Sequence, residues 1–253
     1  MKSKRSGWMA AGLVACVLAG VTAWGQGTRR GGGEGGFHGS LAGLFGDAVA
    51  FSADAEVGLT NRTDQSRLNV PMRVFKSRDR FRLEVDLQRV QGAGNAAQGL
   101  STLRGIGMTK MTCLVLPEEK GMILMFPELK VGMRLPFSET ALPADGFRVE
   151  KRAAGKETLE GQACVRQEVQ VTTSDGARVA GTVWEATALK GFPVRMLFQP
   201  EDSGLGLRFS QVRMAAPGEE MFRVPSDVRL VDGAAGLMQE AMSRALQSGG
   251  LGR

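Results

Sequence analysis

The chain has 253 residues, a net charge of +6 and a hydrophobic fraction of 43%, but one histidine and no tyrosine. His38, the single histidine, lies in a glycine-rich stretch, so the chain has neither the base of a Ser-His or Cys-His pair nor the ligands of a zinc site. No GxxxxGK[ST] phosphate loop occurs, and no GxGxxG follows a strand. We therefore expect a protein that is not an enzyme and uses no metal and no cofactor, with catalysis by an unrecognised pair of carboxylates as the weaker alternative.

The first 25 residues have the three parts of a secretory signal peptide. Lys2, Lys4 and Arg5 form a basic start, residues 8–21 are apolar or small, and Ala23 and Gly25 are small residues before a cleavage site. The apolar run is shorter than the roughly 20 residues that a membrane-spanning helix needs. The sequence therefore predicts a signal peptide over residues 1–25 and an exported, soluble mature chain without a transmembrane helix, with an uncleaved anchor as an alternative.

A second alternative is a lipoprotein anchored in the envelope through Cys16, because residues 13–16 resemble the motif that precedes an acylated cysteine. The apolar run continues beyond Cys16, where a lipoprotein turns polar, and we favour the soluble form. Cleavage removes three basic and no acidic residues, which leaves the mature chain at +3. The remaining basic residues alternate with acidic ones, as in Arg78-Asp79-Arg80, so we expect no nucleic-acid partner.

A glycine-rich tether is predicted over residues 26–46, because glycine at this density cannot bury enough surface to order the chain. From Ala48 onward apolar and polar residues alternate, which is typical of half-buried strands. The first strands are predicted near 48–59, 69–74 and 81–87 as a meander. Pro71 indicates an edge position or a bulge, because proline cannot donate to a ladder.

Residues 91–107 break the alternation and are rich in glycine and alanine, which predicts a loop with at most one helical turn. Strands resume at 109–116 and 122–126, and Pro127, Pro136 and Pro143 then indicate an irregular connection. Further strands are predicted near 165–171, 179–186, 194–198 and 205–209. Asp175-Gly176 is a hairpin turn, and the alternation shifts at Val212 as a β-bulge requires.

The C-terminus changes to a helical period. Leu237, Ala241, Met242 and Leu246 share one face of a predicted helix within residues 232–253. This face either packs plainly against the sheet or acts as an adaptable methionine-rich lid over an apolar cavity.

The mature chain has two cysteines, Cys113 and Cys164, each in or beside an apolar strand. In an oxidising compartment they can form a disulfide, but two free buried thiols are equally ordinary at such positions.

Four stretches resemble an uncharacterised bacterial periplasmic family related to the LolA/LolB-type lipoprotein-sorting proteins. The resemblance covers residues 48–231 and is carried by LVLPEEKGMILMFPELKVGMRLPF (Leu114–Phe137), GKETLEGQACVRQEVQV (Gly155–Val171), VWEATALKGFPVRMLF (Val183–Phe198) and FSQVRMAAPGEEMFRVPSDVRLV (Phe209–Val231). It implies a mostly β (α+β) fold over residues 47–231, in which a strongly curved antiparallel sheet, an unclosed β-barrel, is covered by helices.

In the lipoprotein carriers of this group an apolar concavity receives acyl chains beneath helical lids, so the resemblance implies a periplasmic protein that holds a lipid or a lipidated protein. Alternation of the strand residues predicts the lining of this face: Phe51, Met72, Val74, Leu83, Val85, Val169, Val171, Trp184, Met196, Phe198, Leu207 and Phe209. The alternative is an envelope sensor or protein-interaction module whose core is filled by its own side chains.

Overall fold

The computed structural model describes residues 45, 48–61, 66–119, 121–136, 148–172, 178–199 and 203–247. Strands form because β-branched, aromatic and other apolar residues alternate with polar ones through most of this chain. The strands are β1 (Ala50–Asn61), β2 (Arg67–Ser77), β3 (Arg80–Asp86), β4 (Gln91–Ala93), β5 (Lys110–Leu116), β6 (Gly121–Phe126), β7 (Val131–Pro136), β8 (Arg148–Leu159), β9 (Gln162–Thr172), β10 (Arg178–Ala186), β11 (Phe192–Phe198), β12 (Ser203–Arg213) and β13 (Arg229–Asp232). The helices are α1 (Asn95–Gly105) and α2 (Gly233–Gln247).

All thirteen strands belong to one sheet, whose order is β13-β7-β6-β5-β3-β2-β1-β12-β11-β10-β9-β8, with β4 paired to β2. Neighbours are antiparallel except β13, which returns to pair in parallel with β7. Within the described residues β8 and β13 each have one neighbour, so the curved sheet does not close. The predicted mostly β fold with an unclosed antiparallel sheet is confirmed.

Two sequence signals have clear structural counterparts in the strands beside β1. Between its pairing with β4, which ends at Asn69, and with β3, which begins at Met72, strand β2 has no partner on that side, and Pro71 lies in this interval. The predicted bulge is in β12, where Gln211 has a φ of 52° and the pairing with β1 shifts between Ser52 and Asp54. Both irregularities occur where a ladder hydrogen bond is missing.

Four elements, β4, α1, β7 and β8, differ from the sequence predictions. The predicted loop at 91–107 contains β4 and the eleven-residue helix α1, because Leu100 and Leu103 are buried one turn apart. The predicted irregular connection after Pro127 contains β7. The edge strand β8 was not predicted, because most of its residues are exposed and it lacks apolar alternation.

The core occupies one face of the whole sheet and a second face of only part of it. The main cluster runs from Phe51 across the inner face to Val179. A second cluster of Phe75, Leu114, Leu116, Ile123, Met125 and Phe222 lies on the other face of β2, β5 and β6. Strands β5 and β6 are therefore buried on both faces, which explains their nearly continuous apolar sequences.

The described chain before β1 joins the core. Phe45, within the predicted tether, is 3% exposed and belongs to the main cluster. Lys76, also buried, donates to the carbonyl oxygens of Ala48 and Val49 at 2.9 and 3.2 Å and so fixes the start of β1. The predicted signal peptide, Cys16, His38 and the Asp175-Gly176 turn lie outside the described residues.

Candidate binding site on the inner face of the sheet

The predicted lining residues lie in or against a single buried cluster. Ten of the twelve are buried, and Met72 and Leu83 are partly buried beside them. Strand pairing explains this proximity, because directly paired residues project to the same face. Met72 pairs with Val85 and with Ala55, and Val74 pairs with Leu83, so β1, β2 and β3 bring these side chains together.

One end of the inner face is closed by phenylalanines. The ring centroids of Phe51 and Phe192 are 4.9 Å apart, and those of Phe192 and Phe209 are 5.5 Å apart, both edge to face. Phe45 packs on this group with its centroid 5.0 Å from that of Phe51. Alternation predicted Phe51 and Phe209, whereas Phe45 and Phe192 were missed, because one precedes the first strand and the other begins β11.

The rest of the lining comes from β9 to β12. Val183 pairs with Met196, which pairs in turn with Leu207, and all three are buried. Phe198 pairs with Gly181, and its ring fills the space that a side chain at Gly181 would take. This part of the face is therefore tightly packed.

Trp184 differs from the other predicted lining residues. It is 9% exposed and belongs to the cluster, but it pairs with Arg166 and Arg195 rather than with apolar residues. Its Nε1 donates to Glu157 Oε2 at 2.9 Å, and the Arg195 guanidinium lies 5.3 Å from its ring centroid. Trp184 therefore projects to the face opposite its neighbour Val183, which pairs with Met196, so the prediction that Trp184 lines the inner face is wrong. The parity of Val179 and Gly181 in β10 already pointed to Val183 as the inner-face residue.

A polar group lies at the β8 side of the inner face and was missed by the sequence reasoning. Lys151 Nζ is 2.7 Å from Glu185 Oε1, and Gln167 Nε2 donates to Glu185 Oε2 at 3.1 Å. Gln167 pairs with Val183 and Lys151 pairs with Val169, so the three polar side chains share the register of the apolar lining. They give the apolar face a polar rim.

The two helices are attached to the sheet with different strength. In α1, Arg104 donates to the carbonyl oxygens of Leu87 and Val90 at distances of 2.5 to 2.9 Å, and Leu100 and Leu103 are buried. These bonds satisfy carbonyls in the turn after β3 and anchor α1.

Helix α2 is buried only along its first half. Leu237 and Ala241 are buried, whereas Met242 and Leu246, on the same stripe, are 48% and 64% exposed. Glu240 pairs with Arg229 at 3.3 Å and with Arg244 at 2.8 Å, and the Arg244 hydrogen bond lowers its carboxyl pKa. Exposed ion pairs of this kind stabilise little, so packing of the first half holds the helix.

The outer face carries an open polar groove of about 1110 Å³ across β12, β1, β2, β3 and β5. Its charges are largely paired with one another: Arg73 lies 3.5 Å from Glu84, Arg82 lies 2.7 Å from the same carboxylate, and Asn69 donates to Glu56 at 2.6 Å. The groove is an ordinary solvated strand face with balanced charge.

The two cysteines are free and buried. Cys113 in β5 and Cys164 in β9 are separated in the sheet by six strands, so of the two alternatives the structure has free thiols rather than a disulfide. Burial raises the pKa of the Cys113 thiol to about 12 and also raises that of Cys164, which keeps both protonated and unreactive at neutral pH. Among the described residues no group of His, Cys, Asp and Glu is arranged to hold a metal ion.

Within the described part of the chain no helix is both long and apolar enough to cross a membrane. No family model and no curated protein matches this sequence.

Three solved structures illustrate what the fold is similar to. Lipoprotein LppX of Mycobacterium tuberculosis has a TM-score of 0.40 and 13% identity over 71% of this chain and 96% of its own. A LolA superfamily protein of Nitrosomonas europaea has a TM-score of 0.37 and 9% identity over 74% and 97%. The MucA/MucB complex of Pseudomonas aeruginosa has a TM-score of 0.36 and 13% identity over 77% and 63%.

Proposed function

We propose that this protein is a non-catalytic binding protein of the bacterial envelope that holds an acyl chain, from a lipid or a lipidated protein, against the inner face of its sheet. The observation that carries the proposal is the continuity of the inner apolar cluster over strands β1 to β12 of a sheet that does not close. An acyl chain gains about 0.8 kcal/mol for each methylene that it buries.

The polar rim supports an amphipathic ligand rather than a purely apolar one. Lys151, Gln167 and Glu185 share the register of Val169 and Val183, so charged and apolar groups adjoin on one face. Such a combination of a large apolar surface and a few polar groups is typical of sites for small amphipathic molecules.

Access requires a cover to move, because the lining is buried in this structure. Helix α2 is the better candidate of the two helices. It is held by Leu237 and Ala241 along half of its length, whereas α1 is tied to two carbonyl oxygens by Arg104. We therefore propose α2, which packs against β7 and β13 at one edge of the sheet, as the lid, with its exposed Met242 as an adaptable contact for the ligand.

The envelope location rests on the predicted signal peptide over residues 1–25, with soluble export favoured over anchoring at Cys16. A mass spectrum of the protein recovered from a bacterial periplasm tests it. A chain that begins at Gln26 supports soluble export, and an acylated chain that begins at Cys16 supports the anchored form.

A second candidate function is favoured by the burial of ten of the twelve residues that were predicted to form the lining, of which all but Trp184 belong to the inner face. A face so completely filled also suits a protein-interaction module that takes no lipid. In that case α2, with its exposed Met242 and Leu246, would bind another envelope protein.

The decisive experiment is native mass spectrometry of the protein purified from a periplasm, together with titration of a fluorescent fatty acid. We expect a bound lipid, or a saturable site for the probe, in the parental protein. Leu237→Ala loosens the packed half of α2, so we expect the probe to enter faster, while Leu246→Ala, at an exposed position of the same helix, leaves the rate unchanged.

Absence of lipid and of probe binding in the parental protein and in Leu237→Ala alike would overturn the carrier proposal. Deletion of residues 233–253 then tests the second candidate. Loss of a captured protein partner with unchanged lipid content would support the interaction module.

A further inference from the structure

Three arginines and one tryptophan lie in a single line across four adjacent strands. Arg166 in β9 pairs with Trp184 in β10, Trp184 pairs with Arg195 in β11, and Arg195 pairs with Arg208 in β12. Directly paired residues project to the same face, and neighbouring strands are about 4.8 Å apart, so the line spans roughly 15 Å. We call these four residues the arginine row.

The arginine row faces away from the apolar lining. Arg208 pairs onward with Glu56, which faces the outer polar groove. Arg195 and Arg208 are exposed, Arg166 is partly exposed, and Trp184 lies beneath the Arg195 guanidinium. The tryptophan ring therefore supports the Arg195 guanidinium rather than offering an apolar surface of its own.

The charge of the row is only partly compensated. Arg166 lies 3.1 Å from Glu157, and Arg208 lies 3.3 Å from Glu160. Arg195 has no ion pair with any carboxylate of the described residues, and its nearest cross-strand neighbour on one side is Arg208. Like charges placed directly opposite each other destabilise a sheet unless an anion or solvent screens them.

The surrounding strands add to this positive potential. Residues 148–172, 178–199 and 203–213, which contain β8 to β12, include ten Lys and Arg but only five Asp and Glu, so their net charge is +5. The rest of the described chain has fourteen basic and thirteen acidic residues, so its net charge is +1. The positive potential of the described molecule is therefore concentrated on one end of the sheet.

The shape and composition of the row distinguish between partners. The three arginines occupy successive register positions spread over roughly 15 Å rather than around one point, which does not suit a single phosphate ion. Among the residues that the structure describes, the exposed large hydrophobic ones are Val49, Met214, Met242 and Leu246, and none of them lies in β8 to β12. Protein interfaces, by contrast, have an apolar, aromatic core. A polar, positively charged strand face fits a diffuse negative surface, such as anionic phospholipid headgroups.

We infer that the arginine row docks the protein on the surface of an anionic phospholipid bilayer. The inference rests on the proposed function, because a protein that carries an acyl chain must meet the membrane that supplies or receives it. The row and the lining are on opposite faces of the sheet. Docking is thus electrostatic, reversible and separate from the site that holds the chain.

The test is co-sedimentation of the protein, purified from a bacterial periplasm after expression of the full chain, with vesicles of phosphatidylcholine or of an equimolar mixture of phosphatidylcholine and phosphatidylglycerol. We expect binding to the anionic vesicles only, weakened by salt. The R195E/R208E variant should lose at least about tenfold in partitioning, because each basic residue near such a surface contributes to attraction.

The matched control is R89E/R223E, which makes the same change in net charge at two exposed arginines outside β8 to β12 and should keep most of the binding. Equal loss in both variants, or unchanged binding in R195E/R208E, would overturn the inference. Retention on immobilised polyglutamate without binding to anionic vesicles would also overturn it, in favour of an acidic protein partner.

The fatty-acid titration, made on the same variants, separates this inference from the proposed function. R195E/R208E should bind the fatty acid as the parental protein does, because the row does not line the inner face. Vesicle binding without any fatty-acid site would reject the carrier function and leave the docking surface. A fatty-acid site without vesicle binding would reject the docking surface alone.

Discussion

The two halves of the sheet are built from strands of similar kind but are buried differently. The first half-sheet consists of β1 to β7 with the returning β13, and the second half-sheet of β8 to β12. In the first, the segment around Phe222 covers the outer face of β2, β5 and β6 and forms a second core. In the second half-sheet the outer face stays polar and carries the arginine row.

The two half-sheets therefore differ in what they contribute, one mainly to the packed core and the other to the polar surface. The first half-sheet has apolar cores on both faces and contains all three buried polar side chains of the described residues, Lys76, Ser77 and Thr112. The second half-sheet contains seven of the twelve residues predicted for the lining, and its outer face carries the arginine row. Stability is therefore expected to depend most on the first half-sheet, and surface recognition on the second.

The largest expected effect is in the doubly buried strand β5. Leu114 is fully buried in the second core, and Leu114→Ala should lower the free energy of unfolding by about 2–5 kcal/mol, because it removes apolar contacts and leaves a cavity. Urea denaturation measures this change. Glu168→Ala, at an exposed position of β9, is the control and should stay within about 0.5 kcal/mol of the parental value. Equal losses at both positions would contradict the comparison.

A smaller effect is expected where the second half-sheet is packed most closely. A Cβ at Gly181 would collide with the Phe198 ring and lie 2.7 Å from the carbonyl oxygen of Leu197. Gly181→Ala should therefore cost about 1–3 kcal/mol in unfolding free energy, measured by the same denaturation. A Cβ at Gly58 meets one carbonyl oxygen at 4.0 Å, so Gly58→Ala is the matched control. Adding Phe198→Leu should recover part of the Gly181→Ala loss; no recovery would show that the backbone contact dominates.

A pH-dependent effect is expected at Lys76 in the first half-sheet. Burial lowers the pKa of its ammonium below the usual 10.5, and Asp79 offsets part of that shift. Between the lowered pKa and 10.5 the unfolded chain binds more protons than the folded one, so stability rises with pH in this window. Thermal unfolding across alkaline pH should show this rise in the parental protein and lose it in Lys76→Met. An identical pH profile in the variant would contradict the assignment.

The smallest effect is expected at the ion pair that joins β3 to the segment around Phe222, which covers the second cluster. Glu219 accepts two hydrogen bonds from Arg80, at 2.8 and 2.6 Å, and these lower the pKa of its carboxyl group. Its stabilisation is present above the unfolded pKa and is lost as the pH falls through the folded one. Glu219→Gln should therefore reduce stability slightly at neutral pH and flatten the acid limb of the profile. Glu220 is exposed at the neighbouring position, and no ion pair is found for it among the described residues. Glu220→Gln should therefore change neither the stability at neutral pH nor the acid limb of the profile.

Period-two alternation predicted the strands whose two faces differ most. Val165, Val169 and Val171 in β9 and Leu205, Leu207 and Phe209 in β12 were identified because polar residues separate them. Elements that bury little, or bury both faces, carry a weaker signal. Strand β8 was missed because it is exposed at the sheet edge, and α1 because its apolar face consists of few residues in a glycine-rich stretch.

Ligand binding by the predicted lining residues stays a prediction, and the sequence did not indicate how these residues are arranged. Alternation within single strands identified apolar residues that do collect in one cluster, although Trp184 pairs with arginines. Neither the polar rim at Lys151 and Glu185 nor the arginine row is a pattern along the chain. Both arise between residues that are adjacent only across strands.

By itself the sequence determined the β class, the faces of most strands, the bulge near Val212 and the C-terminal helix, because each depends on the spacing of residues along one segment. Only the tertiary structure decided that β12 pairs with β1, that β13 returns to β7, and that Arg166, Arg195 and Arg208 form one line with Trp184. Strand order and register depend on the packing of the whole sheet, and a property that exists between distant segments has no local pattern to reveal it.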